Sequence, residues 1–328
     1  MRARIRFGKI FAMGASAALV LVAFGAGSAQ ANSPIRVGKG FPGVFDFTPL
    51  DVGMQEGFFK KHGLDVQPFS FNGGAKLQQG LAANAIDVGL GAGTSLAFVK
   101  RGSPVKGIAA FMGPPANLVL FVRKEPSIHT LADLKGKRIS VSTIGSLTFW
   151  LAHRFSVREG WGPNGIKVTP LGAPSAQISA LREKQVDGMV TDLVKATVMQ
   201  QKGYGLIMLH FNKVVPDFIT HVVFARNSFI KAHPQELREF LAAWFETIAY
   251  MRSHKAETVK IAAAVMHQPS DVVATTYDVT MPAFSSTGRF EAKPLAVLRR
   301  SFVDMKLLPK APDMQKLYTE RFLPHPAS

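Results

Sequence analysis

Apolar positions along this 328-residue chain follow two alternating periods. Residues 63–71 (GLDVQPFSF) alternate apolar and polar as a half-buried strand does. Residues 75–85 (AKLQQGLAANA) carry Leu77 and Leu81 at helical spacing, and residues 86–91 (IDVGLG) form a short apolar run ending in Gly. Strand, helix, strand is the crossover unit of a parallel sheet. About a hundred positions later the order returns as residues 165–172 (GIKVTPLG), 175–185 (SAQISALREKQ) and 186–192 (VDGMVTD). Gly63, Val66 and Pro68 then match Gly165, Val168 and Pro170, and Asp87 matches Asp187.

The segments before each unit extend the match. Residues 35–41 predict a strand entering a Gly-flanked loop, followed by one helix from Pro49 to Gly63. Before the second unit, Thr130 and Asp133 have the spacing of a capping box, residues 138–142 read as a strand, and a helix is expected over 146–160. The fold class expected is therefore α/β, with two similar lobes. Residues 117–124 and 218–230 read as strands at which the chain crosses between them. Beyond these, residues 234–254 place Leu237, Phe240, Leu241, Trp244, Phe245, Ile248 and Met251 on one helix face, which is core by its spacing. Residues 293–309 predict a last amphipathic helix covering the first lobe.

The N-terminus follows a different pattern. Arg2, Arg4, Arg6 and Lys9 precede an uncharged stretch containing AALVLVAF, and AQA at 29–31 supplies small residues where a signal peptidase reads. Residues 1–31 are expected to be a cleavable export signal, because the apolar part is shorter than the roughly 20 residues of a membrane span. Removing its four cations lowers the formal charge from +17 to +13. The remaining Lys and Arg are scattered, the densest run being KGKR at 135–138, which argues for a solvated basic surface and against nucleic acid as a partner. The chain has no Cys, so it has neither disulfides nor a thiol nucleophile. Its nine His show no helical metal-site spacing, and no GxSxG elbow is present, so no catalytic residue, metal or cofactor is assigned. A metal held by His210 and His221, on strands expected to be adjacent, is weighed against ordinary packing of both rings.

Taken together, DVGMQEGFFKKHGLDVQ, NGGAKLQQGLAANAIDVGLGAGTS, LADLKGKRISV with GS after it, and ALREKQVDGMVTD resemble the solute-binding proteins of ABC importers for nitrate, sulfonates and taurine. The resemblance runs from about Ile35 to Ile230. It implies a type 2 periplasmic-binding fold with a hinge and a cleft. Lobe 1 would comprise residues 32–119 and 222–328, and lobe 2 residues 120–221. It further implies a periplasmic monomer that captures a small organic anion and delivers it transiently to a permease in the inner membrane. A sensor using the same clamp and a binder of pyrimidine or thiamine precursors remain open. A pyrimidine synthase of the yeast type shares the scaffold, but that resemblance implies a Cys-rich segment.

Ligands of open α/β sheets sit beyond the carboxyl ends of the strands. The candidate binding residues there are Phe41, Pro42 and Phe45 in the first loop, Asn72, Gly73 and Gly74 in the second, and Gly93, Thr94 and Ser95 in the third. The second lobe adds Ser142, Gly145, Ser146, Thr148 and Asp192. Gly and hydroxyl residues at a helix start offer free N–H groups to an anion, although each of Thr94, Ser95 and Ser146 taken alone is more readily a helix cap. By the resemblance, Gly145 and Ser146 fall on the family's Gly-Ser and Thr148 on a polar-contact position, while the usual His after it is missing. Phe41 and Phe45 are an apolar wall for the ligand's organic part or core residues. Asp46 and Asp192 are contacts for a cationic group, or else a cap and a surface acid.

Overall fold

The structure, a computed structural model, describes residues 33–324, so the expected signal segment lies outside the described residues. Ten strands form two five-stranded sheets. The first contains β1 (Ile35–Lys39), β2 (Val66–Ser70), β3 (Val88–Ala92), β4 (Val105–Met112) and β10 (His221–Arg226), in the order β2-β1-β3-β10-β4. The second contains β5 (Leu118–Arg123), β6 (Arg138–Val141), β7 (Lys167–Pro170), β8 (Gly188–Asp192) and β9 (Gly205–His210), in the order β7-β6-β8-β5-β9. In each sheet one strand, β10 or β5, runs antiparallel to its neighbours. The two sheets thus have one topology, with the antiparallel strand reached by a chain crossing in both cases.

Crossover helices complete the units: α1 (Thr48–Gln55), α2 (Phe58–Lys61), α3 (Gly74–Ala82) and α4 (Leu96–Lys100) in the first, α5 (Leu147–Arg158), α6 (Pro174–Arg182) and α7 (Leu193–Gln201) in the second. The C-terminal part adds α8 (Asn227–Ala232), α9 (Pro234–Ser253), α10 (Lys255–Met266), α11 (Ser270–Thr280) and α12 (Ala292–Asp304). Among the described residues no helix is long and apolar enough to cross a membrane.

Most expected elements stand within a few residues of their predicted places, with four differences. The single helix expected from Pro49 to Gly63 is two, because Gly57 takes φ +79° and breaks the hydrogen-bond ladder. The strand expected through Ile230 stops at Arg226 and continues as α8. The chain changes sheets over 113–117 and 211–220, just before the strands expected to do so. Finally, α12 does not cover the first lobe alone. Leu298 lies 3.2 Å from where a Cβ on Gly93 would sit, while Asp304 accepts a hydrogen bond from Trp150 Nε1 on α5 at 3.3 Å.

The repeat has a physical centre in Asp87 and Asp187. Asp87 accepts from the backbone and guanidinium of Arg36, at the start of β1, and from the guanidinium of Arg226, at the end of β10. Asp187 accepts in the same way from the backbone and guanidinium of Arg138, at the start of β6, and from Arg123, at the end of β5. The backbone repeats as well: Asp87 N–H donates to Arg36 O and Arg226 N–H to Asp87 O, as Asp187 N–H donates to Arg138 O and Arg123 N–H to Asp187 O. One carboxylate thus joins three strand ends in each sheet. Both are nearly fully buried, at 4% and 6% exposure.

Burial pushes the Asp187 carboxyl up, but hydrogen bonds from Arg138 and Arg123 outweigh it and hold the group at about 2. That lies below the unfolded value of about 3.9, so the stabilisation is complete above the unfolded value and is lost as pH falls through about 2. Asp187→Asn should cost about 3 kcal/mol near neutral pH by removing the charge that Arg138 and Arg123 share, which leaves Arg138 with no carboxylate and Arg123 with Glu125 alone. Urea denaturation checks this. The variant's deficit should shrink between pH 4 and pH 2.5, and a pH-independent deficit would contradict the ion-pair account.

Candidate functional site

Strand direction locates the site. β4 runs parallel to β1 and β3 and ends at Met112; the chain then enters β5, whose Leu118 pairs with Asp192 at the carboxyl end of β8. The return crossing leaves β9 at His210 and enters β10 at His221, opposite Ala92 at the carboxyl end of β3. Both crossings therefore join the carboxyl ends of the two sheets, and the loops that carry the candidate residues emerge there.

In the first sheet, Gly73 N–H donates to Gly40 O at 2.9 Å, which brings the loop after β2 against the loop after β1. A Cβ on Gly73 would meet the Phe41 ring at 4.0 Å, and one on Gly74 would meet Ser95 Oγ at 3.0 Å. Phe41, Gly73, Gly74 and Ser95 are thus one cluster, with Phe41 and Asn72 at its surface and Thr94 and Ser95 buried within it. Pro42 is exposed beside Phe41. Gly93 serves packing instead. A Cβ there would come within 2.2 Å of Ile219 O, so it is the point at which the turn after β3 meets the second crossing.

Phe45 is not a surface wall in this structure. It is 1% exposed and packs edge-on to Tyr277 of α11 and to Phe284, so of the two expected aromatics only Phe41 reaches solvent. The reason lies in the tight turn at Phe45–Phe47, which turns Phe45, Asp46 and Phe47 inward together.

In the second sheet, three hydroxyls meet at the start of α5. Thr148 Oγ1 lies 2.9 Å from Ser142 Oγ and 3.0 Å from Ser146 Oγ, and it accepts from Ser142 N–H at 3.1 Å. Ser146 Oγ also accepts from Phe149 N–H at 3.2 Å and so caps the helix. Gly145 takes φ +78° to bring the loop onto this helix end, next to Leu307. The N–H groups of Leu147 and Thr148 lie in the first turn, where the helix dipole favours negative charge. Asp192, read from the sequence as a contact or a surface acid, instead caps α7 through Lys195 N–H at 3.1 Å and pairs with Lys195 Nζ at 2.7 Å.

The pattern of the chain did not reveal the most buried polar pair. Asp46, 1% exposed, accepts from or donates to His221 Nε2 at 2.7 Å, across 175 positions of sequence. His221 Nδ1 faces Gly91 O at 3.3 Å, and its ring lies against Phe47 and Phe111. Asp46 Oδ1 has no partner, and neither does the buried Oδ1 of Asn117 on the first crossing. Burial raises the Asp46 carboxyl, outweighing the hydrogen bond from His221, and the charge of Asp192 raises it further. Asp46 is therefore an interior acid rather than the helix cap expected, and no side-chain cap bond forms at either helix start beside it. His210 and His221 are in different sheets, contrary to the expectation of adjacent strands, and no cluster of metal-ligating side chains occurs among the described residues.

His221→Phe keeps the aromatic packing but removes the partner of Asp46. The folded-state pKa of Asp46 should then rise further, so the ionised acid opposes folding increasingly as pH rises from about 4. Thermal denaturation should show a larger deficit against the parent protein at pH 7.5 than at pH 5. Asp46→Asn added to His221→Phe should recover most of it. Equal deficits at both pH values would contradict this account.

The family described as "NMT1/THI5 like" matches residues 44–258. A protein of Brucella abortus (strain 2308), named provisionally as a binding protein, is 26% identical over 245 residues, covering 71% of each chain. The 4-amino-5-hydroxymethyl-2-methylpyrimidine phosphate synthase THI11 of Saccharomyces cerevisiae is 22% identical over 209 residues, covering 60% of each. Among solved structures, the alkanesulfonate-binding protein SsuA from Xanthomonas axonopodis pv. citri, bound to MOPS, superposes with a TM-score of 0.73 at 19% identity, covering 86% of this chain and 96% of its own.

Proposed function

Because the chain belongs to the NMT1/THI5-like family, we propose that it is the solute-binding component of an ABC importer, capturing a small organic anion of the sulfonate or taurine class. The observation that carries this reading is the meeting of the Ser142 hydroxyl, in the loop after β6, with those of Ser146 and Thr148 at the start of α5, at the sheet end that the crossings join to Thr94 and Ser95. A tetrahedral anionic head group takes several donors at once, and a helix N-terminus with hydroxyls beside it supplies them. Phe41, the exposed aromatic of the first loop, then covers the organic part. Nitrate has no organic part for it to cover. The carboxylate of Asp192, at the carboxyl end of β8, favours a ligand that also carries an N–H donor, as taurine does.

In this reading the residues around the first sheet (33–112 and 221–324) and those around the second (118–210) close on the ligand as two lobes, joined by the two crossings. The chain is exported by cleavage after Ala31, acts as a periplasmic monomer, and hands its ligand to an inner-membrane permease. It catalyses nothing. The absence of Cys removes the thiol chemistry expected of a pyrimidine synthase on this scaffold.

Titration calorimetry with taurine, an alkanesulfonate, nitrate and an aminopyrimidine tests the reading. At least one sulfonate should bind. Ser146→Ala should weaken it about tenfold or more, the loss of one hydrogen bond to a charged group. Thr94→Ala should weaken it as well. Binding of the pyrimidine with no sulfonate bound would overturn the ligand class, and unchanged affinity in both variants would overturn the site.

A further inference from the structure

At the opposite end of the second sheet, beyond the carboxyl end of β5, lies a concavity of about 280 Å³ lined by Arg123, Lys124, Leu181, Arg182, Lys184 and Tyr204. Four of the seven lining residues, which also include Gly203, are cationic. Arg123 is engaged by Glu125 and Asp187, and Glu183 beside the concavity accepts from Gln185. Lys124, Arg182 and Lys184 form no ion pair among the described residues. The Arg182 guanidinium is held over the Tyr204 ring at 5.2 Å.

The repeat supplies an internal control. Lys184 and Asn84 both take a left-handed φ, +60° and +57°, three residues before the paired Asp. Lys124 N–H donates to Tyr204 O just as Asn227 N–H donates to Pro104 O. The first sheet therefore builds the same corner from Arg226, Asn227, Leu81, Ala82, Asn84 and Pro104. It keeps the Leu and the Asp-bound Arg, and it lacks the three free cations and the aromatic ring. The fold thus does not require them. Compensation of the α6 dipole by Arg182 and Lys184 does not explain them either, since α3 ends without a cation and Lys124 is not on a helix.

We propose that this corner is a second binding site, separate from the cleft, for a phosphate-type dianion such as a phosphomonoester, free or carried on a lipid head group. Three unpaired like charges around a small concavity repel one another, and a dianion relieves that more fully than a monoanion. The planar, stacked guanidinium of Arg182 suits two-point contact with phosphate oxygens, with Lys124 and Lys184 as point charges. The volume admits a phosphoryl group and a short stem but not a helix.

The test gives the second sheet the residues of the first: Lys124→Asn, Arg182→Ala and Lys184→Asn together. By calorimetry at pH 7.5, inorganic phosphate should bind the parent protein at one saturable site, with the triple variant at least tenfold weaker and Ser146→Ala unchanged. Should the triple variant not fold, Lys184→Asn alone, which suits a left-handed φ, should weaken binding about threefold. Sedimentation with phosphatidic acid vesicles separates the sources: pelleting competed by phosphate assigns a lipid head group, and no pelleting assigns a soluble phosphoester. The proposal is overturned if phosphate does not bind the parent protein at up to ~10 mM. It is equally overturned if phosphate binds the triple variant as tightly, or if its binding is lost in Ser146→Ala, which would place it in the cleft.

Discussion

The architecture depends on two buried carboxylates that each hold three strand ends. Asp87 and Asp187 sit where a crossover helix returns to its sheet, and each binds an Arg from the first strand of its unit and an Arg from the antiparallel strand. The antiparallel strand is the one that arrives by a crossing from the other sheet. Its Arg therefore ties a distant part of the chain into the local unit: Arg226 lies 139 positions from Asp87. A buried acid without these partners would destabilise the fold, so the pairing enforces register as well as contributing stability. With the strand ends fixed on one side of each sheet, the loops at the other ends are free to differ, and they carry the candidate site.

Much of this was legible from local pattern. The strands around Val66, Val88, Ile139 and Val190 announce themselves by alternation or by short apolar runs, and Asp87 and Asp187 stand at matching points of the two units. The seven residues expected on one face of α9 are all buried. What the pattern could not reveal depends on distant partners. β4 is buried along nearly its whole length, and its Ala-rich run has neither period, so it did not announce itself as a strand. Phe41 and Phe45 are four positions apart in one loop, and only the packing of Tyr277 and Phe284, more than 200 residues later, decides that one is core and the other is not. The bond between Asp46 and His221 is invisible for the same reason.

The candidate site shows a tension between the two sheets. At the start of α5 the groups are hydroxyls and a positive helix end, suited to negative charge. On the first sheet's side Asp46 is buried and half-satisfied, and at the end of β8 Asp192 is held by Lys195. Under the proposed function, an anionic group beside Asp192 would be repelled, while an amine or other N–H donor would be accepted there. The proposed ligand, acidic at one end and carrying a donor at the other, would meet both demands. Specificity of this kind comes from leaving protein groups unpaired when the wrong ligand enters.

The central claim is that two halves of like architecture close on a ligand held between them. Since the chain has no Cys, spin labels can be placed with no competing thiol, at Lys76→Cys on the first turn of α3 and Ser175→Cys on the first turn of α6. Pulsed electron paramagnetic resonance then reads the distance between the two sheet units with and without a saturating sulfonate. The account predicts a shorter and narrower distance distribution with ligand, while a pair within one unit, Lys76→Cys with Lys106→Cys, stays unchanged. A bound ligand that leaves the first distance unchanged, or that alters the second, would contradict it.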